Sequence, residues 1–277
     1  MSVTLGIDIG GSSTKIVGLR ADGSTIAMHR VQAQDPITSL YGALGNFLFS
    51  NGLDLTDVER IALTGVGASY VDKDIYGIPT EKVQEFTAVG VGGLALSGLE
   101  KAVVVSMGTG TAFIWAEKGR QVRHLLGSGV GGGTLSGLCS RLCGTRQYDQ
   151  IITLAEQGDV TAIDLTVGDI TQNSHPSLPL DITAANFGNV EDHATAGDFA
   201  AGVINMVLQS IGTMAVLACR SCGCDTAVLT GFMSTLPQAP AVCDMLTGLH
   251  GIRFLIPQHS TYATSIGAAL SAFHSQE

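Results

Sequence analysis

Residues 6–15 of the chain read Gly6-Ile7-Asp8-Ile9-Gly10-Gly11-Ser12-Ser13-Thr14-Lys15, close to the amino terminus. The pattern predicts a β-hairpin whose turn holds a phosphate: glycines let backbone N–H groups approach an anion closely, while the hydroxyls and the lysine add donors and charge. The Gly-x-x-x-x-Gly-Lys-Ser/Thr spacing of a P-loop is missing, and strand residues rather than a helix follow the lysine. A tight hairpin with an incidental lysine is the alternative.

Two later segments share this character. Strand-like residues flank Gly108-Thr109-Gly110-Thr111, which predicts a second phosphate hairpin. Three adjacent glycines, Gly131-Gly132-Gly133, precede a helical apolar pattern and predict a helix amino terminus that an anionic group approaches closely. In this order the three segments resemble the nucleotide site of the superfamily that holds actin, hexokinase and the heat-shock chaperone ATPases.

The length of 277 residues suits two lobes rather than one core. We expect an α/β chain with the two-lobed actin-like ATPase (ribonuclease H-like) fold, with mixed sheets and a nucleotide cleft between the lobes. Residues 1–100 would form the N-terminal lobe, with the first phosphate hairpin and a candidate catalytic acid. Residues 101–277 would form the C-terminal lobe, with the second hairpin, a nucleotide-binding helix and a dimerisation helix. The terminal helix is a candidate to pack back on the N-terminal lobe.

Periodicity and turn residues predict the individual elements. The predicted strands are 3–9, 14–20, 24–31, 60–64, 102–106, 111–116, 121–126, 226–231 and 252–256. The predicted helices are 36–51, 87–99, 132–143, 147–157, 163–170, 195–221, 237–249 and a terminal helix from 261.

The formal charge of −10 argues against nucleic acid or an anionic membrane as a partner. The longest apolar stretch, Val203 to Cys219, contains Asn205, Gln209 and Ser210 and is short for a membrane span, so we interpret it as a core helix. The phosphate hairpin begins at once and no signal peptide precedes it, which predicts a cytoplasmic protein.

Six cysteines are present, and three of them form the Cys-x-x-Cys-x-Cys string Cys219, Cys222 and Cys224. A structural zinc site takes four ligands, commonly as two well-spaced pairs, and the pair Cys139 and Cys143 lies far upstream. Reduced structural thiols are therefore the prediction.

Several strings together resemble the type II pantothenate kinases, a branch of the actin and sugar-kinase superfamily, over nearly the whole chain. Two of them appear specific to that branch: Gly131-Gly132-Gly133-Thr134 with Gly137-Leu138, and Thr183-Ala184-Ala185-Asn186-Phe187-Gly188. The others are the first hairpin with Lys15, Glu85-Phe86, Gly108-Thr109-Gly110-Thr111, Ala155-x-x-Gly158-Asp159 and Ser265-Ile266-Gly267-Ala268.

The resemblance implies ATP-dependent phosphorylation of the primary hydroxyl of pantothenate to 4'-phosphopantothenate, the first step toward coenzyme A. Glu85 matches the catalytic base, Asp8 would hold Mg²⁺ through water, and a homodimer would form through the 195–221 helix. The residues expected to bind ATP are Asp8, Ile9, Gly10, Gly11, Ser12, Ser13, Thr14, Lys15, Thr109, Gly110, Gly131, Gly132, Gly133, Thr134, Leu135, Ser136, Tyr148 and Phe232. The residues expected to bind pantothenate are Thr109, Arg123, His124, Thr183 and Ala184.

Each residue also has a purely structural alternative. Glu85 is then a solvated glutamate that suits the dipole at a helix start, Lys15 a solvated lysine on a strand edge, and Tyr148 a half-buried core tyrosine. The segment from Thr183 is then simply the start of a helix.

Two positions depart from the family pattern. The family carries a pantothenate-binding arginine where this chain has His124, and Arg123 is its neighbour on the strand. A one-residue offset turns a side chain to the other face of a sheet, so the exchange bears on the choice of substrate. Phe232 replaces a small polar residue, which alters the adenine pocket.

Two other functions remain open from the sequence. In the first alternative, the chain phosphorylates another small alcohol or an amino sugar. In the second, it is a non-catalytic nucleotide-binding regulator. The short chain and the presence of Glu85 argue against the second alternative.

Overall fold

Two five-stranded sheets organise the chain in a computed structural model, which describes residues 2–32, 35–171 and 178–273. The first part of the chain contains β1 (Val3–Ile9), β2 (Ser13–Arg20), β3 (Thr25–Gln32), α1 (Pro36–Asn51), β4 (Val58–Thr64), β5 (Thr80–Lys82) and α2 (Glu85–Ser97). The second part contains β6 (Lys101–Met107), β7 (Thr111–Glu117), β8 (Arg123–Ser128), α3 (Gly132–Leu142), α4 (Tyr148–Ala155), β9 (Leu165–Thr166), α5 (Val167–Ile170), β10 (Thr183–Ala185), α6 (Ala196–Cys222), β11 (Thr226–Thr230), α7 (Ala239–His250), β12 (Arg253–Leu255) and α8 (Ala263–Phe273).

The two sheets repeat one topology. Their strand orders are β3-β2-β1-β4-β5 and β8-β7-β6-β11-β12. In each, an antiparallel three-strand meander is extended by two parallel strands. In each, the fourth strand ends at a glycine with positive φ, Gly65 (φ 85°) or Gly231 (φ 87°), which leads into a short 3₁₀ turn. The predicted α/β architecture with two mixed sheets is confirmed.

Local sequence signals explain where the first helix begins and ends. The Asp35 carboxylate accepts a hydrogen bond from the Thr38 N–H (2.7 Å), and Pro36 occupies the first turn. At the other end Gly52 adopts the left-handed conformation (φ 62°) that glycine tolerates best. The predicted bounds of this helix are confirmed.

Successive residues along each strand of the first sheet point to opposite faces of the sheet. Ile7, Ile16 and Leu63 pack under α1 in one core cluster. Val17 packs on the opposite face, against α8. α8 also contacts α2, and α2 packs through Val89 on the second sheet, so α2 and α8 lie between the two sheets.

Glycine allows α2 and α8 to approach each other closely. A Cβ on Gly92 would lie 1.8 Å from the Ala263 carbonyl oxygen, and one on Gly267 would lie 1.8 Å from the Ala88 carbonyl oxygen. A Cβ on Gly6 of β1 would meet the Ser265 carbonyl at 2.0 Å. Backbone therefore packs on backbone where the terminal helix meets the rest of the fold.

Several predicted elements need correction. The predicted helix 163–170 contains only the four-residue α5, because residues 165–166 pair with β10 and Asp164 turns into the protein interior. The segment from Thr183 is a short strand and not a helix start. α2 begins at Glu85, two residues before the predicted 87, and the strand predicted at 121–126 occupies Arg123–Ser128. The three-residue β5 was missed.

Within the described ranges, α6 is the one helix long and apolar enough, by length and composition, to cross a membrane; 61% of its most apolar window is buried inside the protein. It packs on the second sheet and on α3, α4 and α7. All six cysteines are free thiols, and burial raises the pKa of Cys139, Cys219 and Cys243 to about 12. Among the described residues, no three His, Cys, Asp or Glu side chains form a group that could hold a metal ion.

Candidate active site

A row of polar residues crosses the first sheet where β1 ends. Asp8 pairs in register with Thr64 on one side and with Lys15 on the other, and Lys15 pairs with Arg30. Residues directly opposite each other in a sheet point to the same face. The row therefore lies on the face of the sheet that carries α8. Asp8 comes two residues after Gly6 on this face, and Gly6 is the residue that α8 covers.

An ion pair occupies the middle of this row. The Lys15 ammonium lies 3.2 Å from the Asp8 carboxylate, and the two side chains are only 15% and 10% exposed. Lys15 is thus not the solvated strand-edge lysine of the structural alternative. The neighbouring Thr64 Oγ1 is buried and has no hydrogen-bond partner among the described residues. A buried hydroxyl without a partner indicates that a water or a ligand completes the site.

The turn of the first hairpin leaves space that the protein does not use. The Gly10 N–H donates to the Ser13 carbonyl (3.1 Å), which closes the turn. A Cβ on Gly11 would meet no atom within 4 Å, and the φ of Gly11 lies outside the left-handed region. Nothing in the described structure therefore requires glycine there, as expected if a ligand needs the space.

The three glycines before α3 have a different explanation. The Gly132 and Gly133 N–H groups donate to the Gly108 and Thr109 carbonyls (2.9 and 2.8 Å), and a Cβ on Gly131 would lie 2.7 Å from the Thr109 carbonyl oxygen. The group that approaches this helix start is the turn of the second hairpin, so these two N–H groups are not free to bind an anion. The interpretation of the triple glycine as a direct phosphate contact is corrected in this respect.

Some of the predicted residues can offer a ligand only their backbone. The side chains of Ile9, Thr14 and Leu135 are fully buried. Ile9 belongs to the cluster under α1 and Leu135 to the core of the second lobe, because their strand or helix positions turn them away from the cleft.

Glu85, the first residue of α2, lies within reach of the charges of Asp8 and Lys15. Partial burial desolvates its carboxyl and raises its pKa above the ordinary value of 4.5; the negative charge of Asp8 adds to the rise and Lys15 opposes it. The side chain still faces solvent, which leaves room for a substrate. A carboxyl with a raised pKa in a cleft is the property expected of a general base.

Opposite changes at the two charged neighbours should move the pKa of Glu85 in opposite directions. In Asp8→Asn it should fall, because a repelling negative charge is removed, and in Lys15→Met it should rise, because an attracting positive charge is lost. The ¹³C carboxyl titration of Glu85 by NMR in the nucleotide-free protein measures both. Shifts of the same sign in the two variants would show that Glu85 does not sense this pair.

The neighbouring Phe86 links Glu85 to β8. Its ring stacks on that of His124, with centroids 4.3 Å apart and an interplanar angle of 9°. His124 pairs with Ile114, whose side chain packs in the cluster around α2. Arg123 pairs with Trp115, which packs on the α6 side, so Arg123 points to the other face of the sheet. The structure thus places His124 against Phe86, the residue that follows Glu85, and turns Arg123 to the other face of the sheet.

An aromatic pair flanks the start of α3. The Tyr148 and Phe232 rings meet edge to face at 4.7 Å, and the Tyr148 hydroxyl would lie 2.5 Å from a Cβ on Gly132. Burial raises the pKa of Tyr148, while the Ser136 hydroxyl and the charge of Arg30 lower it. The Arg30 guanidinium lies over the Phe232 ring at 5.0 Å. Arg30 was not among the predicted site residues; its register with Lys15 was the available signal.

Thr183 and Ala184 lie away from this row, on β10, which a buried carboxylate anchors. Asp164 is 1% exposed and accepts hydrogen bonds from the Phe187 N–H (2.9 Å) and the Asn205 amide (2.8 Å) as well as from Thr183 and Asn186. Phe187 is held at φ 57°, a conformation that costs free energy in a bulky residue. Asp164 was not among the predicted site residues; the available signal was an acid inside an apolar stretch.

Solved structures with this fold define the class of protein. The activator of 2-hydroxyisocaproyl-CoA dehydratase from Clostridium difficile, with bound ADPNP, superposes with a TM-score of 0.66 at 15% identity over 99% of this chain and 95% of its own. A ROK family glucokinase from Streptomyces griseus, in complex with glucose and AMPPNP, gives 0.62 at 14% identity over 98% and 99%. The predicted actin-like ATPase fold is confirmed.

Sequence comparison narrows the class to one family. The Fumble family profile matches residues 101–271. A type II pantothenate kinase from Staphylococcus aureus (strain USA300) is 30% identical over 276 residues, covering 95% of this chain and 97% of its own length. The chain belongs to the type II pantothenate kinase family and is a phosphotransferase. The family resemblance inferred from the sequence is confirmed.

Proposed function

We propose that this protein transfers the γ-phosphoryl group of ATP to the primary hydroxyl of pantothenate, giving 4'-phosphopantothenate for coenzyme A synthesis. The observation that carries the proposal is the convergence of Glu85 with the Asp8–Lys15 pair, beside the unfilled turn at Gly11. A base, a cation and an anion-binding turn are the groups that phosphoryl transfer to an alcohol requires.

Glu85 acts as the general base. An alcohol is a poor nucleophile at neutral pH, so a carboxylate that accepts its proton during in-line attack lowers the barrier. The raised pKa makes the Glu85 carboxylate a stronger base than that of a solvated glutamate. The proton moves from the pantothenate hydroxyl to this carboxylate as the new O–P bond forms and the bond between the γ-phosphorus and the bridging oxygen of ATP breaks, so that ADP leaves.

Lys15 and the backbone of Gly11 and Ser12 bind the phosphate oxygens of ATP, while Gly10, whose N–H donates to the Ser13 carbonyl, closes the turn. The open space at Gly11 and the exposed hydroxyl of Ser12 suit this role. The chain also fits Mg²⁺, because Asp8 presents a carboxylate beside the unpartnered Thr64 hydroxyl. When bound, the ion neutralises charge on the phosphates, and Asp8 holds it through water.

The second hairpin and α3 take the rest of the nucleotide. Thr109 and Gly110 lie at the exposed turn of that hairpin. Gly131 to Ser136, with Tyr148 and Phe232, form the wall for the sugar and the base. Since the first N–H groups of α3 already bind the hairpin turn, this wall contacts the nucleotide through Thr134, Ser136 and the aromatic rings.

His124 contacts the pantothenate carboxylate in place of the family's arginine, because it stacks on Phe86 next to the base. We expect His124→Ala to raise KM for pantothenate about tenfold and to leave KM for ATP unchanged, while His124→Arg retains or improves the affinity. Arg123→Ala is the matched control on the opposite face of the sheet. Steady-state kinetics with each substrate varied in turn measures KM for pantothenate and KM for ATP in the three variants. A large effect on pantothenate from Arg123→Ala alone would place the carboxylate elsewhere.

A test of acceptor identity decides the proposal. The purified protein should release ADP with pantothenate in a coupled assay and show far lower rates with amino sugars. Activity confined to a sugar would show that the acceptor is a sugar and not pantothenate, although the protein would still transfer a phosphoryl group. ATP binding by calorimetry without turnover on any alcohol would instead make the protein a nucleotide-binding regulator.

We also infer a cytoplasmic homodimer. α6 exposes Thr213 and Leu217 on its outer side, and Leu217 is 59% exposed. The Gln209 amide of α6 donates a hydrogen bond to the Thr183 hydroxyl, so β10, with Thr183 and Ala184, lies beside the helix through which we infer that the dimer forms. Multi-angle light scattering of the wild type and of Leu217→Glu tests the association.

A further inference from the structure

Arg30 joins the two sheets at the candidate nucleotide site. It belongs to β3 of the first sheet, and its guanidinium lies 5.0 Å from the centroid of Phe232, which follows β11 of the second. The ring of Phe232 in turn meets Tyr148 beside the start of α3. The contact therefore runs from one side of the cleft to the other.

The guanidinium has unused binding capacity. Among the residues that the structure describes, it contacts the Phe232 ring and forms no ion pair or hydrogen bond. Asp8, the nearest acid in the row, is paired with Lys15. An exposed arginine stacked on an aromatic ring keeps its N–H groups free at the edge of its plane, where phosphate oxygens bind in a fork.

The position along the row indicates which phosphate is reached. Asp8, Lys15 and Arg30 occupy successive strands, about 4.8 Å apart. In the proposed function Lys15 and the hairpin turn bind the terminal phosphates, and Phe232 and Tyr148 contact the base. Arg30 lies between Lys15, its partner in the sheet, and the Phe232 ring, so the α-phosphate is the group of a nucleotide bound in this way that its guanidinium would meet.

We propose that Arg30 is a nucleotide-binding residue whose guanidinium, held in place on the Phe232 ring, contacts the α-phosphate from the β3 side of the cleft. This inference rests on the use of ATP in the proposed function and is independent of the acceptor. A phenylalanine in place of a small polar residue at position 232 thus provides the platform that orients the arginine.

Affinities for ATP, ADP, AMP and adenosine test the assignment. Arg30→Met should weaken ATP, ADP and AMP by the same factor, about tenfold or more, and leave adenosine unchanged. Arg30→Lys should recover most of the loss, and Phe232→Leu should produce a smaller loss with the same pattern. Calorimetry measures ATP and ADP, and NMR titration measures AMP and adenosine.

Arg120→Met, which removes an exposed arginine from the turn after β7, is the matched control and should bind all four ligands like the wild type. An unchanged ATP affinity in Arg30→Met would overturn the proposal. A loss of affinity for ATP but not for AMP would show that Arg30 contacts a terminal phosphate, which also overturns the proposal. An equal loss of affinity for adenosine would show that Arg30 has a structural role, and this result overturns it as well. A wild type that binds ATP but does not phosphorylate pantothenate would refute the proposed function alone.

Discussion

Glu85→Gln is expected to lower kcat by roughly 10²–10⁴ and to leave the affinity for ATP nearly unchanged. The amide keeps the shape and the hydrogen-bonding capacity of the side chain but cannot accept the proton of the attacking hydroxyl. ATP affinity should hold because Glu85, which lies near the Asp8–Lys15 pair, carries no positive charge and is not one of the residues proposed to bind phosphate. Steady-state kinetics and calorimetry on the same preparation measure the two quantities.

The matched control for this prediction is Glu156→Gln, which exchanges an exposed glutamate at the end of α4 and should keep wild-type kcat. If Glu85→Gln turned over at a near-normal rate, Glu85 would have no part in proton transfer. A loss of ATP affinity equal to the loss of kcat would assign it to nucleotide binding.

Gly92→Ala is expected to destabilise the protein by about 3 kcal/mol or more, enough to lower Tm by several degrees. The single added Cβ would lie 1.8 Å from the Ala263 carbonyl oxygen, so α2 and α8 would have to separate. These helices lie between the two sheets, and their separation would disturb both cores. Thermal and urea unfolding followed by circular dichroism provide the measurement.

A glycine-to-alanine substitution at a helix position with open space around it should stabilise the protein. Gly42 lies on the exposed side of α1, and a Cβ there would meet no atom within 4 Å. Gly42→Ala should therefore raise the stability by up to about 1 kcal/mol, because alanine loses less conformational entropy in a helix. Equal effects at both positions would mean that the close approach of α2 and α8 is relieved at little cost.

Much of the fold was predictable because its signals are local. The alternation in β1 and β2, the caps Asp35 and Gly52 and the apolar period of α6 each act within a few residues along the chain. The helix predicted over 163–170 was wrong because the signals that decide this segment are not local. Asp164 collects hydrogen bonds from two distant segments, and this tertiary network overrides the helical pattern of its neighbours.

Glycine shows most clearly what sequence alone leaves open. Gly11 and Gly131 belong to equally suggestive motifs, yet Gly11 faces empty space and Gly131 packs against the second hairpin. The sequence by itself determined the two hairpins and the family, because these depend on residue types at short spacing, and the resemblance to that family indicated Glu85 as the candidate base. Only the tertiary structure decided that His124 rather than Arg123 lies on the side of Phe86 and that Arg30 reaches Phe232. Those outcomes depend on strand register and on the approach of elements far apart in the chain, where a shift of one residue reverses the face that a side chain occupies.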